Sequence, residues 1–138
     1  MTGTNVKRRR FGLTLIELIV VVLILGILAA VALPKFIGQS DSAKLNGSLQ
    51  SLSVLRGAID TYRVNNTSYP TAANLQTALA PFLRSPTFPS PAVGAGAGNN
   101  TIANCTTSPL TVVAGGAGWS YNATTGEIGI NDATYINY

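Results

Sequence analysis

No histidine occurs in the 138 residues, cysteine occurs once, at Cys105, and acids number only five. Each scarcity excludes something. A single cysteine cannot close an internal disulfide, so any exported domain has to be held by packing and hydrogen bonds. The thiol itself reads as buried and inert. The acids Glu17, Asp41, Asp60, Glu127 and Asp132 are scattered, without the spacing of metal ligands or of an acid/base pair. No nucleophile, base and orienting group can be assembled, so the expectation is a non-enzyme with no cofactor and no metal. Asn-x-Ser/Thr triplets, for instance at Asn66 and Asn122, are expected by chance in a chain this rich in Asn and Thr.

The excess of basic over acidic residues lies in one place. The formal net charge is +4, and Lys7, Arg8, Arg9 and Arg10 supply it. Beyond Gly12 the balance is 5 Lys/Arg against 5 Asp/Glu. A nucleic-acid surface needs a basic patch to neutralise phosphates, and the rest of the chain has none. No nucleic-acid partner is expected.

What the chain does have is a long apolar run, Leu13 to Leu33, with Glu17 as its only charge. As a helix the run would cover roughly 30 Å, the thickness of a bilayer core. A basic cluster before such a span keeps the N-terminus cytoplasmic and sends Pro34 onward across the membrane. An ionised side chain inside hydrocarbon costs on the order of 3 kcal/mol or more, so Glu17 needs a partner.

Three readings compete for this N-terminus. A secretory signal peptide would explain the basic start, the apolar stretch and the Ala30, Val31, Ala32 triplet, but the run is too long and contains an acid. A plain signal anchor explains length and orientation and leaves Glu17 without a cause. The third reading uses every odd residue. The stretch Gly12-Leu-Thr-Leu-Ile-Glu17-Leu18 resembles the prepilin signal of type IV pilins and of the pseudopilins of type II secretion: a basic leader, a glycine, a large apolar residue, and a glutamate five residues after the glycine.

That resemblance implies cleavage by a membrane-embedded prepilin peptidase after Gly12 and methylation of the new N-terminus at Leu13, where the family usually has phenylalanine. It also implies a partner for Glu17, the α-amine of a neighbouring subunit. Two opposite charges buried together offset a cost that each would bear alone, and a subunit out of register leaves one unpaired. Gly26 and Pro34 fall where the family commonly carries helix-weakening residues. Proline removes a backbone hydrogen bond, so a kink or local opening is expected there.

Further along, Leu45, Leu49, Leu52, Ile59 and Tyr62 recur mostly at helical spacing. They predict that one helix continues to about Val64, roughly 75 Å in all from Leu13. The Tyr69-Pro70 step ends it. Thr71 to Leu83 reads as a second helix, Arg84 to Asn104 as a flexible surface loop, and Leu110–Val113, Trp119–Tyr121, Glu127–Asn131 and Thr134–Tyr138 as strands. The predicted class is α+β and pilin-like: a long N-terminal helix packed through its second half on a small antiparallel sheet.

Ala58 to Leu79 resembles the matching part of the major pseudopilin, and Gly118 to Asn131 resembles the closing hairpin of short pilins and major pseudopilins. The major pseudopilins often bind calcium through acids in a C-terminal loop. Here only Asp132 is available, and the C-terminal cysteine pair of many pilins is also missing. Pilus and type II pseudopilus therefore both stay open.

The expected organisation is a leader over residues 1–12, a membrane or filament-core helix over 13–34, and an amphipathic helix half plus globular domain over 35–138. The resemblance implies a single-pass precursor in a bacterial inner membrane that becomes a periplasmic or cell-surface homo-oligomeric filament. Its implied partners are the prepilin peptidase, a platform protein and an ATPase. A signal-anchored binding domain that does not polymerise is the alternative.

Overall fold

The computed structural model describes residues 14–138, except for the side chains of residues 33–37. Two compact units divide between Gln39 and Ser40. The architecture is α+β. Helix α1 is Leu15–Asn66, α2 is Leu75–Leu79 and runs into a 3-10 turn at Ala80–Phe82, and three short strands follow: β1 Ile102–Asn104, β2 Trp119–Tyr121 and β3 Ile128–Ile130.

Thr14 begins α1. Its hydroxyl accepts the N–H of Glu17 at 3.3 Å and its carbonyl accepts the N–H of Leu18 at 3.2 Å, which satisfies donors that the first turn otherwise leaves open. The other end stops at Thr67, whose φ of +58° is the left-handed conformation that commonly terminates helices. Arg63 then lies 4.6 Å over the Tyr69 ring and donates to its hydroxyl.

Within the second unit, Leu52, Leu55, Ala58 and Ile59 project from one face of α1. They share a single buried cluster with Leu75 and Leu79 of α2, with Phe88, and with Trp119, Tyr121, Ile128 and Ile130 of the sheet. Register explains the sheet's contribution. Trp119 pairs with Ile130 and Tyr121 with Ile128, so four large residues share one face, while Ser120 opposite Gly129 leaves the other face small. Leu110 and the Ile136 carbonyl close onto that small face, where a Cβ at 129 would crowd them at 3.2 and 3.0 Å.

Several expectations are corrected here. The sheet is mixed: β3 is antiparallel to β2, but β1 is parallel to it, with residues 105–118 as the crossover. Leu110–Val113 is not a strand. Its backbone is spoken for by side chains: the Thr111 N–H goes to the Cys105 sulfur, the Thr111 carbonyl accepts from Ser120 Oγ, and Val113 exchanges two bonds with the Asn131 amide.

Nor is Thr134–Tyr138 a strand. Asp132 accepts the Thr134 N–H and its own carbonyl accepts those of Tyr135 and Ile136, which winds a turn. The second helix is shorter than Thr71–Leu83, at Leu75–Leu79 plus the 3-10 turn. The stretch from Arg84 to Asn104 is packed, not a loose excursion. Pro91 is fully buried, Trp119 Nε1 donates to the Pro89 carbonyl, Ser48 Oγ accepts the Ala92 N–H, and β1 emerges at its end.

Candidate functional site: the exposed apolar helix

In the first unit, residues Leu15–Ala32 form a helical window of mean hydropathy 3.1, none of it buried. Leu15 is 76% exposed, Val22 60% and Leu28 61%, so apolar surface faces outward all the way round. A helix that is apolar on every side is stable only inside a lipid bilayer or among other helices. This stretch is long enough to cross a membrane.

Glu17 interrupts that surface once. It is exposed, in the first turn, where a negative charge is favoured by the unpaired N–H groups and the helix dipole. Among the described residues the one ion pair is Asp41–Lys44, at 3.7 Å, so none of these cations neutralises Glu17. Thr14 sits one turn below it and fixes the start of the helix. The sequence reading missed Thr14, although a Thr three residues before a Glu is the spacing of a capping box.

The other predicted residues are less fully seen. Gly12 and Leu13 lie outside the described residues. At Gly26 a Cβ would meet nothing within 4 Å, so its own chain does not demand a glycine there. The helix runs through Gly26 and on through position 34.

In the second unit the candidate chemistry is sparse. Among the described residues no three His, Cys, Asp or Glu gather as a metal-holding group. Cys105 is free and 3% exposed. Burial pushes its thiol up, but hydrogen bonds from the Thr107 hydroxyl and the Thr111 amide outweigh that and bring it down to about 6. Asp60 and Glu127 border an open hollow with Arg56 and Tyr69. Glu127 accepts the Thr125 hydroxyl at 2.9 Å.

An exposed apolar helix that starts with a cap and carries one carboxylate is joined in sequence to a small α+β unit, and its bare apolar surface calls for a lipid or helical partner. The comparisons bear on the same helix. The family described as "Prokaryotic N-terminal methylation motif" matches residues 7–33, which include Gly12, Leu13, Glu17 and Gly26.

Over part of its length the chain is similar to proteins named type II secretion system core protein G. Identity is 40% over 65 residues with the Aeromonas hydrophila protein, covering 47% of this chain and 46% of the relative. It is 37% over 81 residues for Pseudomonas aeruginosa, 59% and 55%, and 36% over 84 residues for Vibrio cholerae, 61% and 56%. The chain thus spans about half the length of the curated relatives it matches. No solved structure matches it.

Proposed function

We propose that this chain is the structural subunit of a type II secretion pseudopilus, with no catalytic activity of its own. One observation carries the reading: a helix exposed and apolar on all sides, bearing a single carboxylate, lies under a methylation motif. The subunit inserts in the inner membrane with its basic leader in the cytoplasm. Prepilin peptidase cuts after Gly12, and Leu13 is methylated. Subunits then leave the bilayer and bundle their 13–34 segments as the core of a periplasmic filament, driven by an ATPase through a platform protein.

The physical logic is that the filament core replaces lipid as the partner of the apolar helix. Helix–helix contact in place of lipid is nearly neutral in hydrophobic terms, so register has to come from something polar. Glu17 against the Leu13 amine of a neighbour is that group. Similarity to core protein G favours the secretion filament over a surface pilus, which shares the same core chemistry.

Intact mass of the membrane form tests the reading. A chain starting at methylated Leu13 is expected. A start at Met1 would leave a plain anchor, and a start at Leu33 would mean ordinary secretion.

A further inference from the structure

The closing loops of the exported unit meet at two adjacent residues, Asn131 and Asp132. Asn131 is 3% exposed and spends its whole amide on one partner loop: Oδ1 accepts the Val113 N–H at 2.8 Å, and Nδ2 donates to the carbonyls of Val113 at 2.8 Å and Ala117 at 3.1 Å. Its backbone N–H reaches the Gly118 carbonyl at 3.0 Å. Asp132 turns the other way. Oδ2 accepts the Ala95 N–H at 2.9 Å and Oδ1 that of Thr134 at 2.8 Å. Gly94, at φ +84°, lets its turn close down on Asp132, since a Cβ there would lie 2.8 Å from the aspartate's own. Three segments, 92–99, 110–118 and 131–138, are thereby stapled by two side chains.

The resemblance to major pseudopilins raises calcium at this place, and the donor set does not fit it. Calcium takes six to eight oxygens, several of them carboxylates. Here Asp132 is the only acid of the loop, and each of its oxygens already faces a backbone N–H. The carbonyls of the same loops are likewise met by N–H groups: those of Val113 and Ala117 by Asn131, that of Gly116 by Asn99 at 2.7 Å, and that of Asp132 by Tyr135 and Ile136. These oxygens already carry donors, and one carboxylate is too little negative charge to offset the dehydration of a divalent cation. The same N–H groups, Thr134 first and then Ala95, hold the Asp132 carboxyl below its usual range, as a carboxylate satisfied by hydrogen bonds should be.

We propose that Asn131 and Asp132 close the C-terminal loops of this protein in place of a metal ion, so that its folding is independent of calcium and of other divalent cations. The question of calcium rests on the pseudopilin reading. The staple rests on the geometry alone.

The experiment is thermal unfolding of the detergent-solubilised full chain, followed by circular dichroism, in EDTA and in millimolar calcium chloride. Equal midpoints are expected for the wild type. Asn131→Ala should lower the midpoint by roughly 5 °C or more, and by the same amount in both buffers. If that variant fails to fold, Asp132→Asn, which removes the charge but keeps an acceptor, should show a smaller and equally calcium-blind drop.

A wild-type midpoint that climbs roughly 10 °C or more with calcium overturns the proposal, because a tightly held cation stabilises by that order. So does an unchanged midpoint in both variants, which would leave the staple without effect. Failure of the filament reading would appear instead in the intact mass and in assembly, neither of which this measurement reads.

Discussion

The phenol of Tyr121 donates a 2.9 Å hydrogen bond to the carbonyl of Pro70, tying the middle strand of the sheet to the residue that turns the chain away from the long helix. Tyr121 is fully buried. Burial first, and then the neighbouring Tyr69 and Tyr62, push it up to about 12. Tyr121→Phe should therefore cost about 1–3 kcal/mol, since it leaves a buried carbonyl without its donor.

The pH dependence has a definite sign. An unfolded tyrosine titrates near 10 and the folded one near 12, so the folded state holds its proton longer. Stability from this group is complete below about pH 10 and is lost as pH rises through about 12. Urea unfolding across that window should show the wild type losing more than the phenylalanine variant. Parallel losses would mean that Tyr121 is not the titrating group.

Gly126 carries a second prediction. Its φ is +79°, and a Cβ there would run into the Tyr69 ring. Gly126→Ala should destabilise by about 1–3 kcal/mol from the backbone alone, with displacement of Tyr69 added to it. A chemical denaturation midpoint unchanged by the substitution would contradict the packing of that ring on the hairpin.

Much of this fold was legible because its strongest signals are long and periodic. The apolar run and the spacing of Leu52, Ile59 and Tyr62 predict one helix, and one helix is found, ending at Asn66. The hairpin of Trp119–Tyr121 and Ile128–Ile130 was legible from aromatic and β-branched residues around a turn. What misled was β propensity where side chains compete for the backbone. Leu110–Val113 and Thr134–Tyr138 look like strands, yet Asn131, Ser120 and Asp132 take the hydrogen bonds a ladder would need.

No local pattern announces the capture of 110–113, because Asn131 and Ser120 lie far from it in sequence, whereas the turn at Asp132 is local and its Asp-x-Thr spacing was a readable signal. β1 went unread for the opposite reason: three residues after a Gly/Ala stretch carry almost no signal. In the site, Glu17 stood out as a lone charge in an apolar run. Thr14, a small polar residue beside it, did not.

Processing yields a third prediction. A peptidase acting at Gly12 needs close approach to the backbone, which a branched side chain blocks. Gly12→Val should accumulate uncut precursor in the membrane fraction, visible as a heavier band on gels. Maturation of that variant at the normal rate would count against the prepilin reading.

The stretch from Gly26 to Pro34 gives a fourth. In the single chain the helix is unbroken between Gly26 and position 34. A proline lacks the N–H that closes a helical turn, and a glycine lowers helix stability by about 1 kcal/mol relative to alanine. The 26–34 stretch is therefore where the helix should loosen when it leaves the bilayer, and a filament structure should lack helical hydrogen bonds there. A straight, fully bonded helix through this stretch in the filament would refute it.

Glu17 gives the last and sharpest test, because a membrane anchor and a filament core make opposite demands on it. Glu17→Leu makes the span more apolar, so insertion should be at least as good as in the wild type. Cleavage after Gly12 should persist, since the substitution lies beyond the cut. Thr14 still caps the helix, because its hydroxyl accepts a backbone N–H and not the carboxylate. Assembly should nevertheless fail or weaken severely. The Leu13 amine of each neighbour would be buried in the core without a counter-charge, a loss on the order of 3 kcal/mol per subunit. Mixed filaments with wild-type subunits should be partly rescued, as each variant subunit lacks the acceptor but still offers an amine. The quantity to compare is sheared or pelleted filament against mature subunit left in the membrane. Abundant filaments built solely from Glu17→Leu subunits would show that the carboxylate does not set the register, and the reason for an acid in this helix would have to lie in its membrane-bound state.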